Sequence, residues 1–291
     1  MGREELEALV RAALEEAGKR GVDQAEVVAS CDTGLAATAR LGDVENLEYT
    51  NDRGVWITVY KDSRKGSAST SDTQPDSIRE AVAKACTFAD CTAQDKYAGL
   101  ADADLMCTDI RDLDLDHPWK IEAADAIDMA IACEAAGLAV DDRINNSEGA
   151  TVSTNRGVRA YGNSHGFVGS YAKSSHSISC VVLASENGNM QRDYYYSASR
   201  DAADLEAVEH IGRIAGRRAV GRLGARKIRT TKAPVLFIPE LARGFIGHAI
   251  GAVSGGAQYR KASFLLDAVG ERIFPEFVSI EERPHIPKGM A

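Results

Sequence analysis

The sequence lacks the features that mark membrane-spanning and secreted proteins. No apolar stretch approaches the ~20 residues that a helix needs to cross a bilayer. The acidic start, Met1 to Glu5, has no apolar core of the kind found in signal peptides. None of the six cysteines forms a C-x-x-C pair. We therefore predict reduced core thiols in a cytoplasmic protein.

Positive charge is also scarce. The 43 aspartates and glutamates outnumber the 34 lysines and arginines, which gives a formal net charge of −9. Nucleic-acid binding needs basic surface that replaces counterions, so this balance argues against wholesale binding of DNA or RNA. A local basic patch is still compatible with it. The chain also has neither a G-x-x-x-x-G-K-[ST] loop nor a strand-linked G-x-G-x-x-G, the usual nucleotide-phosphate loops.

What the sequence does contain suits a globular protein, with 291 residues of which 44% are hydrophobic and 26% charged. Helical periodicity predicts long helices at residues 4–18, 73–91, 120–138, 202–223 and 240–253. Strand-like runs predict two antiparallel meanders, with turns at Asn51–Gly54, Asn155–Gly157 and Asn187–Gly188. The prediction is an α+β fold of mostly antiparallel sheets with long helices packed on them.

Three regions follow from this pattern. We predict an N-terminal α+β domain at 1–110, a central domain of meander and helices at 111–228, and the start of a C-terminal domain at 229–291. A linker is expected at 92–118 and a buried strand at Pro234–Pro239. Thr50–Val55 and Thr154–Val158 are similar in sequence, which is compatible with a duplicated unit. Two similar hairpin turns would explain it as well.

Two short motifs do not support the chemistry that they suggest. Asp112–Asp116 has the spacing that opens a calcium loop, but the required Gly and Glu are replaced by His117 and Ala123. An acidic linker, or acids near a helix N-terminus, is the better interpretation. Gly162–Gly166 matches G-x-S-x-G, but strand-like sequence on both sides argues against a nucleophile elbow. The histidines lack ligand spacing: His117, His165, His176, His210 and His285.

The helix at 240–253 carries an unusual glycine face. The residues of this face are separated by 4, 3 and 4 positions, so they lie on one side of the helix. Each interior glycine costs about 1 kcal/mol relative to alanine, and the simplest compensation is close approach of another backbone. Packing on the chain's own sheet and contact with a peptide or partner subunit are both open. The face comprises Gly244, His248, Gly251 and Gly255, with Gly247 beside them.

The same helix carries a resemblance to a known family. Phe245–Ala257, followed by Tyr259–Leu265, resembles the PmbA (TldE) branch of the TldD/PmbA family. Further matching stretches follow in order along nearly the whole chain. They are Glu45–Glu48, Arg53–Gly54 with Ile57–Tyr60, Lys65–Asp72, Asp112–Trp119, Asn146–Ala150, Tyr161–Phe167 and Met190–Tyr194.

This resemblance implies a peptide-processing role. TldD-like members are zinc metallopeptidases with a helical H-E-x-x-x-H motif, in which two histidines bind the metal and the glutamate is the general base. PmbA-like members pair with TldD in a heterodimer that encloses a peptide-processing cleft. The family's older label, modulator of DNA gyrase, reflects genetics and does not imply DNA contact.

Transfer of the motif residue by residue leaves a degenerate site. His248 matches the first histidine, whereas Ala249 replaces the glutamate and Val253 replaces the second histidine. A methyl group cannot take a proton and an isopropyl group cannot bind zinc. The resemblance therefore implies no catalytic residue and no metal in this chain, and zinc in the TldD-like partner.

The predicted function is that of a non-catalytic subunit of a TldD/TldE-type zinc metalloprotease acting on peptides, with the glycine face as its contact surface. Alternatives are a metallopeptidase in its own right and a non-enzymatic protein that regulates gyrase or binds another target. A homodimer is also open. Members of the family extend beyond residue 291, so we expect a truncated C-terminal domain with exposed apolar surface at Pro234–Ile238 and on the following helix.

Overall fold

A computed structural model describes residues 1–107 and 109–290. Its contacts divide it into two compact units, residues 1–224 together with the segment from Pro284 onward, and residues 225–283. The predicted three-domain division stays a prediction. Thr108, in the predicted linker, and Ala291, at the end of the third region, lie outside the described residues.

Within its described residues, the first unit contains four long helices and six strands. Its helices are α1 (Arg3–Lys19), α2 (Pro75–Cys91), α3 (Ala123–Leu138) and α4 (Val208–Gly221). Its strands are β1 (Gln24–Arg40), β2 (Asp43–Lys61), β3 (Arg64–Thr70), β4 (Ile144–Asn163), β5 (Val168–Glu186) and β6 (Asn189–Ser199). The second unit contains α5 (Pro239–Val253) and α6 (Gly255–Tyr259).

All six strands form one sheet in the order β3-β2-β1-β4-β5-β6. Every neighbouring pair in it is antiparallel. The predicted α+β class, with an antiparallel sheet and long helices packed on it, is confirmed. The same sheet runs through both of the regions that the sequence separates at residue 110.

The helices cover one face of the sheet because alternate strand residues are apolar. One cluster joins α1 and α2 to β1 and β2, with Val10 and Val82 against Val27 and Ile57. A second joins α3 and α4 to the centre of the sheet. Full burial of such side chains stabilises the fold by ~1.5–3 kcal/mol each. The second cluster is built around Ala130, Cys133, Ile178, Cys180, Ile211 and Ala215.

The first unit repeats an α-β-β-β-α order twice, and the two halves meet where β1 pairs with β4. β2 and β5 occupy equivalent places and have 19 residues each. The two similar segments of the sequence, Thr50–Val55 and Thr154–Val158, lie in β2 and β4, which are not equivalent strands. Neither segment forms a turn, so hairpin turns do not explain the similarity either. Both segments flank Gly34, which faces Thr50 on one side and Asn155 on the other.

Two predicted turns are wrong. Asn51–Gly54 lies within β2 and Asn155–Gly157 within β4, because both segments continue their ladder with β1. The β1–β2 turn is at Leu41–Gly42 instead, where both residues have positive φ. The turn at Asn187–Gly188 is confirmed, and its residues also have positive φ, of 52° and 78°.

The buried strand predicted at Pro234–Pro239 is also wrong, and its last residue begins α5. No residue of the described unit 225–283 is in a strand, so this apolar run has no strand to pair with in that unit. Leu236 is 93% exposed. The helix predicted from residue 202 begins at Val208 instead, after a short 3-10 turn at Ala202–Asp204.

The prediction of core thiols holds for half of the cysteines. Cys31, Cys133 and Cys180 are buried, whereas Cys91 and Cys107 are exposed. All six are free thiols. A hydrogen bond with Cys133 and burial both raise the pKa of the Cys180 thiol, which favours the inert thiol over the reactive thiolate.

Among residues 1–107 and 109–290, no helix combines the length and the apolar character needed to cross a bilayer.

Candidate functional site

The residues at both ends of helix α5 favour its start and its termination. Pro239 lies in its first turn, where a missing N–H is tolerated, and Glu240 complements the helix dipole there. At the other end the Ser254 hydroxyl donates a hydrogen bond to the Gly251 carbonyl at 2.8 Å. The Ala252 carbonyl accepts hydrogen bonds from Gln258 Nε2 and from the hydroxyl of Ser263, both at 2.7 Å. Side chains therefore cap the C-terminal end of α5, where the glycine face continues into α6.

The glycines of the glycine face, three in α5 and Gly255 at the start of α6, are not needed for packing within residues 225–283. A methyl group placed at Gly244, Gly247, Gly251 or Gly255 would meet no atom within 4 Å. His248 is exposed. Packing inside this unit therefore does not account for these glycines, and contact with a peptide or a partner stays a prediction.

Large apolar side chains of α5 are exposed together with the glycines. Phe245 makes an edge-to-face contact with Phe237, with ring centroids 4.5 Å apart, yet both rings remain exposed. Contiguous exposed apolar surface of this kind marks interaction sites in soluble proteins. The other exposed apolar residues of the helix are Leu241, Ile250 and Val253.

The donor set of α5 does not fit a catalytic zinc ion. Such sites use three protein ligands drawn from histidine, cysteine and carboxylates. His248 supplies one imidazole, and Ala249 and Val253 supply no donor atom. Over residues 1–107 and 109–290, no group of three such side chains has an arrangement that could hold a metal ion.

The acidic segment Asp112–Asp116 lies in the connection between α2 and α3, and two of its aspartates contact basic side chains. Asp116 accepts two hydrogen bonds from the Arg156 guanidinium, at 2.8 and 2.7 Å. The His117 ring lies 3.1 Å from an Asp114 oxygen and 3.5 Å from Asp201. This arrangement agrees with the acidic-linker interpretation and with the rejection of a calcium loop.

The Asp116–Arg156 pair predicts a pH-dependent contribution to stability. Hydrogen bonds from Arg156 lower the pKa of Asp116. A lowered carboxyl pKa stabilises the fold above the unfolded value of about 3.9, and this stabilisation is lost as the pH falls through the folded value. Arg156→Gln should therefore cost about 1 kcal/mol at pH near 7 and little at pH near 2. Urea unfolding at both pH values measures it.

Arg213→Gln is the control for this prediction, because Arg213 is exposed on α4 and makes no ion pair within the described part of the chain. It should change the free energy of unfolding little at either pH. Equal losses for Arg156→Gln at both pH values would contradict the prediction.

The G-x-S-x-G match forms a turn between two strands. β4 ends at Asn163 and β5 begins at Val168, whereas a nucleophile elbow leads from a strand into a helix. The Ser164 hydroxyl accepts a hydrogen bond from the Ala25 N–H at 3.1 Å, and the Ser164 N–H donates to the Ala25 carbonyl at 2.9 Å. Ser164 thus ties the β4–β5 turn to the start of β1, and the prediction against a nucleophile elbow is confirmed.

Two buried polar residues make contacts that sequence reasoning did not predict. His176 is fully buried: its Nε2 donates to the His117 carbonyl at 2.8 Å, and its Nδ1 accepts from the Thr154 hydroxyl at 2.9 Å. Glu134 accepts hydrogen bonds from the N–H groups of Leu41 and Gly42, at 2.9 and 3.0 Å. Glu134 could have been found, because it lies on the buried face of α3 with Ala130, Cys133 and Gly137.

The face of the sheet opposite the helices is partly covered by the chain that follows α2. There Glu26 accepts hydrogen bonds from the hydroxyls of Tyr60 and Tyr161, at 3.0 and 3.2 Å. Burial, together with the Glu26 carboxylate, raises the pKa of Tyr60 to about 12. Met106 contacts Asn163 beside this cluster. The covered area therefore lies near the start of β1.

Comparison with known families gives three matches in order along the chain. Residues 25–89 match the PmbA/TldA metallopeptidase domain 1, residues 116–223 match the central domain, and residues 230–291 match the C-terminal domain. A relative from Escherichia coli O157:H7, named metalloprotease PmbA, is 45% identical over 289 residues. That alignment covers 99% of this chain and 64% of the relative.

Solved structures show the same architecture. A Bacteroides thetaiotaomicron protein, described as a proposed modulator of DNA gyrase, superposes with a TM-score of 0.83 at 25% identity. The match covers 89% of this chain and 60% of that one. TldE from Thermococcus kodakarensis has a TM-score of 0.68 at 17% identity, over 92% of this chain and 59% of that one. The second likeness is one of fold alone.

Proposed function

Because the chain belongs to the PmbA/TldD metallopeptidase family, we propose that it is a non-catalytic, PmbA/TldE-like subunit of a zinc metalloprotease that acts on peptides. One observation carries the proposal. The three family domains match in order, yet α5 keeps only His248 of the residues that the H-E-x-x-x-H motif requires. The catalytic zinc would then belong to a TldD-like partner subunit.

The exposed surface of α5 supports assembly with such a partner. Its glycines let another backbone approach closely, and its exposed apolar side chains provide area that an interface would bury. The proposed complex works in the cytoplasm, as the sequence predicts. In it, this chain completes the cleft and stabilises the catalytic subunit in its active form.

A free strand edge supports the handling of extended peptides. β3 pairs with β2 only from Val55 to Lys61. Between Asp43 and Gly54, β2 pairs with β1 on one side and with no described strand on the other. An extended peptide can add to such an edge through main-chain hydrogen bonds.

The test is to measure zinc content and peptidase rate for the purified chain alone, for a TldD-like subunit alone, and for their mixture. We expect no stoichiometric zinc and no peptidase activity in this chain alone. The mixture should co-elute on gel filtration and cleave a disordered peptide. Stoichiometric zinc together with activity in the isolated chain would overturn the proposal.

The name of the Escherichia coli relative, a metalloprotease, favours a second candidate, in which this chain is a peptidase in its own right. His248→Ala separates the two candidates. Loss of activity in the isolated chain would select the peptidase. An unchanged peptidase rate in the mixture with the TldD-like subunit would support the subunit. Co-purification with gyrase in place of a TldD-like subunit would select a gyrase-binding role.

A further inference from the structure

The helix-free face of the sheet contains an open pocket between β2, β1, β4 and β5. Helices α1 to α4 cover the opposite face, and the chain after α2 covers the area around Glu26 and Tyr161. The pocket has a volume of about 320 Å³, at the small end of ligand-binding pockets. Its principal lining residues are Val28, Ser30, Asp32, Trp56, Arg159 and Lys173, and we call it the Arg159–Lys173 pocket.

Two cations and one carboxylate, Asp32, line this pocket, so its net charge is positive. Within residues 1–107 and 109–290, neither Arg159 nor Lys173 makes a side-chain hydrogen bond or an ion pair. Arg159 is paired with Tyr171 on β5, so Lys173 is its diagonal neighbour on the same face of the sheet. One carboxylate does not balance two cations, and a bound anion would neutralise the remaining positive charge.

The pocket also offers an acceptor and an apolar platform. The Asp32 carboxylate lies directly over Gly157, where a methyl group would collide with it, and Lys173 passes within 3.8 Å of the same point. Trp56 is 49% exposed and its ring lies against Gly54, 2.7 Å from where a methyl group would be. The two glycines thus keep the carboxylate and the indole close to the strands.

We propose that the Arg159–Lys173 pocket binds the C-terminal residue of a peptide. Its free carboxylate would bind Arg159 through paired hydrogen bonds and Lys173 as a point charge. The amide N–H of the same residue would donate to Asp32, and its side chain would pack on Trp56. That the bound carboxylate belongs to a peptide rests on the proposed function. The positions of the carboxylate and of the amide donor are inferred from the pocket itself.

The test is the binding of short labelled peptides to the full chain without any partner subunit, followed by fluorescence anisotropy. One peptide ends in phenylalanine with a free carboxylate, its twin is amidated, and a third is amidated but carries an internal glutamate. We expect the free acid to bind at least about tenfold more tightly than both others. Arg159→Gln and Lys173→Gln should each weaken its binding by about tenfold or more.

Arg217→Gln is the matched control, because Arg217 is exposed on α4, on the opposite side of the sheet. It removes the same charge and should leave the affinity unchanged, and circular dichroism should show that all variants are folded. The proposal is overturned if the amidated twin binds equally well, if the internal glutamate suffices, if no peptide binds, or if Arg217→Gln weakens binding as much as Arg159→Gln. The assay omits the catalytic subunit, so its outcome is independent of whether the chain assembles with one.

Discussion

Gly251→Leu should weaken association with a TldD-like subunit by about thirtyfold, which corresponds to ~2 kcal/mol and is typical of a central interface position. A leucine side chain would stand where the partner's backbone approaches. The chain itself should remain folded, because no atom lies within 4 Å of the added carbon. Removal of an exposed helical glycine can even stabilise a helix, by up to ~1 kcal/mol.

Gel filtration and calorimetric titration with the catalytic subunit measure this effect, and circular dichroism reports the fold. Gly18→Leu is the matched control, since Gly18 is a helical glycine of α1 with nothing within 4 Å. It should leave association unchanged. If Gly251→Leu unfolds the chain, the glycine face serves internal packing, and if association is unaffected, the face is not the interface.

Gly212→Ala should lower the free energy of unfolding by ~2–3 kcal/mol, as overpacking of a tight contact does. Gly212 lies where α4 crosses α3. A methyl group there would collide with the Cys133 carbonyl and would lie 2.9 Å from the Gly137 nitrogen. The two helix backbones could not separate without opening the cluster beneath them, which includes Ile178 and Ile211.

Gly221→Ala provides the control within the same helix. Nothing lies within 4 Å of its added methyl group, so it should stabilise the chain by up to ~1 kcal/mol. Urea unfolding followed by circular dichroism compares both variants with the wild type. Similar stabilities for the two variants would show that α3 and α4 are not in close backbone contact.

The helices could be predicted from the sequence, whereas the turns could be predicted only in part. Apolar residues at the helical period predict α1, α2 and α5 and most of their bounds, because the period is a local property of the chain. Gly54 and Gly157 resemble turn residues, but each lies inside a long strand. Their role is to make room for Trp56 and for Asp32, and no local pattern reveals which side chain lies across a strand.

The candidate sites differ in the same way. The degenerate motif at His248 can be identified from the sequence, because its residues are consecutive on one helix and match a known pattern. The Arg159–Lys173 pocket draws on four strands that are distant in the chain. Only the register that pairs Asp32 with Gly157, and Gly157 with Lys173, brings these residues together.

β1 and β4, the inner strands of the two α-β-β-β-α halves, each contribute residues to the core of the other half. This sharing determines how the first unit denatures. The C-terminal part of β1, with Leu35, Ala37 and Ala39, belongs to the hydrophobic cluster of the second half. Ala160 of β4 belongs to the cluster of the first half. Neither half completes its core without a strand segment from the other. The halves are therefore interlocked, and residues 1–224 should lose their structure in one cooperative transition despite the internal repeat.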